Sequence, residues 1–331
     1  AAAAAIADLG YRPLNCGNVP SPALADYAIG KGMASLMVTG SHIPDDRNGI
    51  KFNLPAGEVL KRDEAGIRTQ EVGVAPERFD DSGSFVTPLG LPPEDRAAYQ
   101  CYVARYLDAF PPQCLAGSRV LVYEHSSVAS KALYEIFSGL GADVVRRGYS
   151  DSFIPVDTEA VRAEDIALAR EWAEGGDYEL LVSTDGDGDR PLVGDERGVW
   201  LRGDVAGILT ARFLEAEAVV TPVSSNTALE KSAWFPRTVR TRIGSPYVIE
   251  GMQKAVDEGA GRVVGYEANG GFLTMTTTEV EGRTLRALPT RDAVIVALAV
   301  LILARRHGPV SYTHLRAHET NCNISYAVFC L

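Results

Sequence analysis

Helical and strand patterns alternate three times along this chain, and this alternation restricts the folds that the chain can adopt. In each unit a helical pattern precedes a short β-branched strand, and the strand runs into a loop rich in Gly, Ser or Asp. The first unit, for example, predicts a strand at 12–16, a helix at 22–32 and a strand at 34–38. This alternation is typical of α/β layers with parallel or mixed sheets. We therefore predict an α/β fold with mixed sheets.

Length and composition indicate several domains. At 331 residues the chain is too long for one ordinary core. A polar, proline-rich stretch at 78–95 suggests the first boundary, and we predict domains at 1–95, 96–200 and 201–309. Residues 310–331 lose the periodicity and hold two of the five Cys and two of the five His. This segment resembles a translated cloning or sequencing adaptor, so we expect it to be a non-native tail.

The overall charge and the apolar pattern exclude several classes of partner. A formal net charge of −11 and a pI near 5.0 argue against nucleic acid, whose binders carry a basic field. The longest apolar stretch, 293–304, is much shorter than the roughly 18 residues of a membrane span, so we predict no membrane partner. The sequence assigns no oligomeric state. The cysteines are sparse and lack CxxC spacing, which predicts reduced thiols in the cytoplasm; they are Cys16, Cys101, Cys114, Cys322 and Cys330.

The first loop with chemical potential is Thr39-Gly40-Ser41-His42, which Lys51 follows a little further on. A hydroxyl nucleophile straight after a strand, with His beside it and Lys nearby, suits phosphoryl transfer. The same residue types also dominate ordinary turns. Taken alone, this loop therefore leaves both interpretations open.

The second loop contains Asp185, Asp187 and Asp189, which alternate with glycines directly after an apolar strand. Glycine permits a tight backbone, so the carboxylates can converge on one hard cation. A calcium EF-hand does not fit, because the sixth loop position requires Gly and is Arg190 here. Mg²⁺ needs fewer protein carboxylates and favours phosphate oxygens as further ligands, and it is the metal that we predict.

Two further loops offer polar groups for a substrate. Glu267 and Asn269 alternate in a glycine-bounded loop and suit the binding of sugar hydroxyls, although a glycine-rich turn explains the same pattern. Arg240 and Arg242 lie near Gly244 and offer guanidiniums for bidentate phosphate contacts. An exposed arginine is, however, usually just solvated.

In this order and at these separations, the loops resemble those of the α-D-phosphohexomutase superfamily, and most of all its bacterial phosphomannomutase/phosphoglucomutase branch. The resemblance extends to about residue 309 and implies α/β domains around a central cleft. It implies that Ser41 is the phosphoserine. The implied catalytic residues are Ser41, His42, Lys51 and Arg190, the implied Mg²⁺ ligands are Ser41, Asp185, Asp187 and Asp189, and the implied substrate-binding residues are Arg242, Glu267 and Asn269.

The resemblance implies the interconversion of mannose 6-phosphate and mannose 1-phosphate, with glucose phosphates as further candidate substrates. Glucose 1,6-bisphosphate or mannose 1,6-bisphosphate would serve as intermediate and activator. Two alternatives stay open: an inactive fragment that binds Mg²⁺ and sugar phosphate, and a Mg²⁺-dependent phosphatase. The chain departs from the family pattern at Ile43, where Asn is usual. We also expect the opening strand of the first domain and the whole fourth domain to be missing.

Overall fold

The computed structural model describes residues 1–41, 43, 48–87 and 90–307. Within this part of the chain, the strands form three main sheets and a small hairpin. Each main sheet takes its strands from one of the three predicted domains, whose exact boundaries stay predictions. The segment 310–331, which we expect to be a non-native tail, lies outside the described residues. Among the described helices, none is both long and apolar enough to cross a membrane.

The first unit consists of α1 (Ala2–Asp8), α2 (Ser21–Gly30), β1 (Ser35–Thr39), β2 (Gly49–Leu54), β3 (Gly57–Glu58), α3 (Lys61–Arg68) and a 3-10 turn (Pro76–Arg78). Its sheet is antiparallel, in the order β1-β2-β3. The pairing of β1 with β2 sets Met37 opposite Lys51. The loop that carries Ser41 leaves β1 at the end where β2, the strand that carries Lys51, begins.

The predicted strand at 12–16 is wrong. Among the described residues of this segment, Asn15 alone forms a bridge, to Glu94. Pro13 has no N–H to donate, and so the segment cannot continue a regular ladder. The neighbouring predictions of a helix at 22–32 and a strand at 34–38 are confirmed by α2 and β1 to within two residues.

The second unit consists of α4 (Ala97–Ala109), β4 (Arg119–His125), α5 (Ser130–Gly139), β5 (Asp143–Tyr149), α6 (Ala163–Glu174), β6 (Leu180–Thr184) and β7 (Pro191–Gly194). Its strands lie in the order β5-β4-β6-β7. β4 is parallel to β5 and β6, while β7 is antiparallel to β6. This is a mixed sheet, as predicted, and every residue of β6 is buried.

The third unit consists of α7 (Gly203–Phe213), β8 (Ala218–Pro222), α8 (Ala228–Lys231), β9 (Arg237–Thr241), α9 (Ser245–Asp257), β10 (Val263–Tyr266), β11 (Phe272–Thr274), β12 (Thr278–Val280), β13 (Arg283–Leu285), β14 (Leu288–Asp292) and α10 (Val294–His307). Its main sheet runs β14-β11-β10-β8-β9. β8 is parallel to both of its neighbours, β9 and β10, whereas β11 is antiparallel to β10 and β14. The prediction of mixed sheets is confirmed here too.

One apolar core runs from the second unit into the third. It includes Phe137 on α5, Val182 on β6, Ile208 on α7 and Leu298 on α10, all of them fully or almost fully buried. Burial of such a side chain contributes about 1.5–3 kcal/mol. The two units are thereby held in a fixed arrangement, and so are the loops at the ends of their strands.

A buried carboxylate ties α4 to the end of β14. Asp292 accepts hydrogen bonds from the hydroxyl of Tyr102 at 2.6 Å, from the hydroxyl of Tyr106, and from the N–H of Val294 at 3.1 Å. Burial raises the pKa of Asp292, although the nearby Arg105 and the two tyrosines oppose this rise. The carboxylate is therefore satisfied by donors from another helix and from the first turn of α10.

Replacement of Tyr102 by Phe should lower the free energy of unfolding by about 1.5–3 kcal/mol, because a buried carboxylate loses one donor. Urea denaturation followed by circular dichroism measures this change. Tyr149→Phe is the matched control, since Tyr149 donates to Asp151 at the exposed surface. Equal losses in the two variants would contradict the role given to Asp292.

Candidate active site

Strand β6 delivers three carboxylates to one point. Asp185, Asp187 and Asp189 are buried, and each offers an oxygen within 4.8 Å of the others. Oδ1 of Asp185 accepts the N–H groups of Asp189 at 3.2 Å and Arg190 at 3.1 Å. Gly188 has a φ of 76°, a left-handed conformation that favours glycine. The glycine spacing thus lets the loop fold tightly enough for the carboxylates to converge.

Cations and a helix terminus compensate the buried negative charge. Nζ of Lys51 lies 2.6 Å from Oδ2 of both Asp187 and Asp189. Nε of Arg190 lies 3.9 Å from the carboxylates of Asp185 and Asp189. Ser21, at the start of α2, donates its N–H to the carbonyl of Asp187 and its hydroxyl to the carboxylate, both at 2.8 Å. The first unit is therefore docked on this loop.

The ionisation of these groups follows from their surroundings. Burial works against the charged form of Asp187, but Lys51 outweighs it and lowers the pKa of Asp187 to about 2. Burial likewise disfavours the Lys51 ammonium, yet Asp189 and Asp187 raise its pKa above the ordinary value. Burial and the two neighbouring carboxylates raise the pKa of Asp185 well above its usual range. A cation that binds here would favour the ionised form of Asp185 and so oppose this rise.

Ser41 touches the carboxylate loop directly. Its hydroxyl donates to Oδ2 of Asp185 at 2.6 Å, and its N–H donates to the hydroxyl of Thr39 at 2.8 Å. Ser41 has a φ of 51°, so the loop holds it in a strained left-handed conformation. Its predicted catalytic neighbour His42 lies outside the described residues. Ile43 donates its N–H to the carbonyl of Gly40 at 2.8 Å, which closes a turn around the serine.

The contact between these loops depends on Gly186. A Cβ atom at this position would lie 2.4 Å from the carbonyl oxygen of Ser41 and 3.1 Å from the ring of Phe153. The serine loop therefore lies against bare backbone. The alternation of Asp and Gly therefore allows the carboxylates to approach one another, and it also allows the serine loop to approach their backbone.

Gly186→Ala should lower the free energy of unfolding by about 1–3 kcal/mol, because the methyl group collides with the backbone of Ser41. The control is Gly30→Ala at the end of α2, where an added Cβ meets no atom within 4 Å. Thermal denaturation of both variants measures the difference. A loss no larger in Gly186→Ala than in Gly30→Ala would show that the two loops are not in contact.

The residues present fit a hard divalent cation. The carboxylates and the Ser41 hydroxyl supply oxygen donors, which Mg²⁺ prefers. Oδ1 of Asp187 and Oδ1 of Asp189 are buried and have no hydrogen-bond partner among the described residues. Buried acceptors without donors are costly, and a cation would satisfy them. The cluster is therefore a candidate Mg²⁺ site.

The loop between β10 and β11 lies next to this cluster. Oε2 of Glu267 accepts a hydrogen bond from Nη1 of Arg291 at 3.1 Å, and Nη2 of Arg291 lies 3.0 Å from Oδ2 of Asp189. Asn269 accepts the N–H of Gly271 through its side chain at 2.9 Å, and Thr158 donates to its carbonyl at 2.9 Å. The structure thus brings Glu267 to the carboxylate cluster, while the Asn269 side chain orders its own loop.

The two arginines at the end of β9 differ. Arg240 donates to the carbonyls of Pro222, Ser225 and Asn226 at 2.9 Å each and pairs with Glu230 at 2.7 Å. The expectation that Arg240 offers its guanidinium to a phosphate is therefore wrong, because backbone and carboxylate acceptors occupy it. Arg242 is exposed, and its guanidinium lies 5.7 Å from the ring of Tyr247. Its role in substrate binding stays a prediction.

The sequence motifs do not include Glu58 and Arg291. Glu58 on β3 accepts hydrogen bonds from Ser245 at 2.7 Å and Thr290 at 2.6 Å, and so links the first unit to the third. Glu58, Arg291, Lys51 and Asp189 line a cavity of about 390 Å³, a volume typical of a small-molecule site. The sequence gives only a weak signal for Arg291, since residues 291–292 are a charged pair that precedes an apolar helix.

His125 lies buried beneath the carboxylate loop. Its Nε2 lies 2.9 Å from the carbonyl of Thr184, which fits a neutral ring that donates from Nε2. Burial lowers the pKa of His125 below the ordinary value of 6.5, although this hydrogen bond opposes the shift. The unfolded chain therefore binds a proton at His125 more readily than the folded chain does.

Because the folded-state pKa is the lower one, the protein should lose stability as the pH falls below about 6.5. His125→Gln keeps a donor for the Thr184 carbonyl and removes the titration. We expect a smaller loss of unfolding free energy between about pH 7.5 and 5.5 in this variant than in the parent chain. Denaturant titrations at each pH measure it, and identical slopes would contradict a buried neutral histidine.

Layered α/β units whose loops converge on buried carboxylates and a serine hydroxyl define the class of this protein. The family model described as phosphoglucomutase/phosphomannomutase, alpha/beta/alpha domain I, matches residues 1–71. The model described as domain III of the same family matches residues 202–320. The chain belongs to the phosphoglucomutase/phosphomannomutase family, and the predicted resemblance is confirmed.

Individual relatives agree with this family. The chain is 45% identical over 302 residues to a phosphomannomutase of Sinorhizobium fredii, a match that covers 91% of this chain and 63% of the relative. It is 42% identical to a phosphomannomutase of Salmonella muenchen, with 91% and 61% covered. The chain thus spans less than two thirds of the length of these two curated relatives. The solved structure of a putative phosphomannomutase from Thermus thermophilus has a TM-score of 0.68 at 18% identity, with 91% of this chain and 67% of that chain covered, and shows the shared fold.

Proposed function

We propose that this chain carries the catalytic part of a phosphomannomutase, which interconverts mannose 6-phosphate and mannose 1-phosphate through a phosphoserine at Ser41. The observation that carries the proposal is the 2.6 Å hydrogen bond from the Ser41 hydroxyl to Asp185, inside a cluster that fits Mg²⁺. The 45% identity to a phosphomannomutase supports mannose as the sugar. Glucose phosphates are further candidate substrates at the level of the family.

Phosphoryl transfer depends on positioning and on neutralisation of charge, since the transferred group places charge on its equatorial oxygens. Ser41 would carry the phosphoryl group, in a loop that Gly186 allows to lie against the carboxylates. Lys51, whose Nζ lies 2.6 Å from Asp187 and Asp189, would act as a general acid or base or as a charge-neutralising cation. Arg190 would add a second cation. His42 stays a predicted catalytic residue beside the serine.

The residues that would hold Mg²⁺ are Asp185, Asp187 and Asp189, together with the oxygen of Ser41. Bound there, the ion would offset the negative charge of the phosphoryl group. Asp187 and Asp189 are also held by Lys51, so the loop is ordered by protein contacts as well.

The substrate would bind in the cleft between the units. Glu267, beside the carboxylate cluster, would accept hydrogen bonds from sugar hydroxyls, with Asn269 as the second predicted residue of this loop. Arg242 would contact the end of the sugar away from the serine. After the first transfer the hexose 1,6-bisphosphate would turn around, so that its other phosphate returns to Ser41. Added glucose or mannose 1,6-bisphosphate would prime the serine.

A second candidate function is the binding of Mg²⁺ and sugar phosphate without turnover. The observation that favours it is the buried carboxylate cluster beside a cavity of about 390 Å³, which would suffice for such binding. We also propose a cytoplasmic location, which rests on cysteine usage. The described cysteines, Cys16, Cys101 and Cys114, are all free.

Phosphorus NMR of mannose 1-phosphate, with Mg²⁺ and a trace of glucose 1,6-bisphosphate, separates these functions. A mutase forms mannose 6-phosphate, a phosphatase releases inorganic phosphate, and a binder leaves the substrate unchanged. We expect mannose 6-phosphate, and we expect Ser41→Ala to lower its formation by at least about 1,000-fold, since the covalent carrier is lost.

Ser82→Ala is the control, because the Ser82 hydroxyl binds Asp80 in an exposed loop. This variant should retain the activity of the parent chain. Formation of mannose 6-phosphate by Ser41→Ala at the parental rate would rule out a phosphoserine at position 41.

A further inference from the structure

Arg291 joins the loop of the carboxylate cluster to the loop that carries Glu267. One edge of its guanidinium faces Oδ2 of Asp189, with Nη2 at 3.0 Å and Nε at 3.1 Å. Nη1 faces Oε2 of Glu267 at 3.1 Å. The Arg291 side chain is 15% exposed, so both pairs are largely shielded from water. A planar group with donors on two edges fixes the separation of the two carboxylates.

The backbone that presents Arg291 is held on both sides. Thr290 donates to Glu58 at 2.6 Å, and Asp292 accepts from Tyr102 at 2.6 Å and from Tyr106. Successive side chains of a strand point to opposite faces. Anchors on both neighbours therefore set the direction in which Arg291 leaves β14.

The Glu267 loop is shaped to admit this arginine. A Cβ atom on Gly271 would lie 2.7 Å from Cδ and 2.8 Å from Cγ of Arg291. Gly271 does not have a left-handed φ, so its backbone conformation is open to alanine, and the nearest obstacle to a Cβ is the arginine stem, followed by Oδ1 of Asn269 at 3.0 Å. The second glycine of the loop thus makes room for Arg291.

We propose that Arg291 is a positioning residue that holds Glu267 at a fixed place beside the carboxylate loop. The sugar hydroxyls that bind to Glu267 are thereby kept at a constant distance from Ser41. The sugar ligand in this inference rests on the proposed function. Asp189 keeps Lys51 if Arg291 is lost, whereas Glu267 loses the cation that orients it. The carboxylate loop also becomes more negative, which favours a divalent cation.

Arg291→Met should therefore separate sugar binding from metal binding. In the 331-residue chain, calorimetry should show the affinity for mannose 1-phosphate in the presence of Mg²⁺ falling by roughly 10- to 100-fold. The affinity for Mg²⁺ alone should be equal to that of the parent chain or higher. Hydrogen exchange should accelerate in residues 266–272, because Glu267 is released.

Two further variants test the geometry. Arg291→Lys should restore part of the sugar affinity. An ammonium keeps the positive charge but cannot donate to Asp189 and Glu267 with the two-edged geometry of a guanidinium. Gly271→Ala should also lower the sugar affinity, because its methyl group displaces the arginine stem and crowds Oδ1 of Asn269. Arg237→Met is the control, because it breaks a surface pair with Glu258 at the other edge of the sheet, and it should change neither affinity.

Unchanged exchange in 266–272 together with unchanged sugar affinity in Arg291→Met would overturn the proposal. Equal losses of Mg²⁺ and sugar affinity would also overturn it, since they indicate general damage. If the parent chain binds no mannose 1-phosphate, the proposed function fails, and the exchange of residues 266–272 still decides whether Arg291 positions the Glu267 loop.

Discussion

Three carboxylates are buried at one point, and groups from every part of the described chain are arranged to balance their charge. Like charges within 4.8 Å of one another and away from water are strongly unfavourable. The compensating groups come from different parts of the chain: Ser41 and Lys51 from the first unit, Arg190 from the second and Arg291 from the third. The site therefore exists only when all three units have docked, and it favours their docking in return.

An α/β scaffold brings these groups together, and both apolar packing and polar contacts connect its parts. Strand β6 is fully buried between helices and ends at the carboxylate loop, as functional loops of α/β sheets commonly do. Apolar packing of α7 and α10 holds the second and third units together. A buried hydrogen bond at Asp292 and a partly buried one at Glu58 then fix the end of β14. A scaffold whose polar groups are paired in hydrogen bonds is rigid, and it can hold catalytic groups at defined distances.

Much of the site was predictable because its chemistry lies in local patterns. The alternation of Asp and Gly after an apolar strand predicts converging carboxylates, and the structure brings Asp185, Asp187 and Asp189 together. Arg291 and Glu58 could not be assigned to the site from the sequence, because their partners are distant in the chain and the charged pair at 291–292 does not indicate those contacts. Arg240 shows the converse: a motif suggested a ligand role, but backbone carbonyls occupy the side chain.

Intact-mass spectrometry with peptide mapping determines whether Ser41 carries the phosphoryl group. The chain would be incubated with glucose 1,6-bisphosphate and Mg²⁺, beside Ser41→Ala, and then treated with mannose 1-phosphate. We expect a single phosphoryl group on the peptide that contains Ser41, absent from the variant and lost when the sugar phosphate is added. A chain that takes up no phosphoryl group, or one that carries it elsewhere, would contradict a phosphoserine mechanism at this carboxylate cluster.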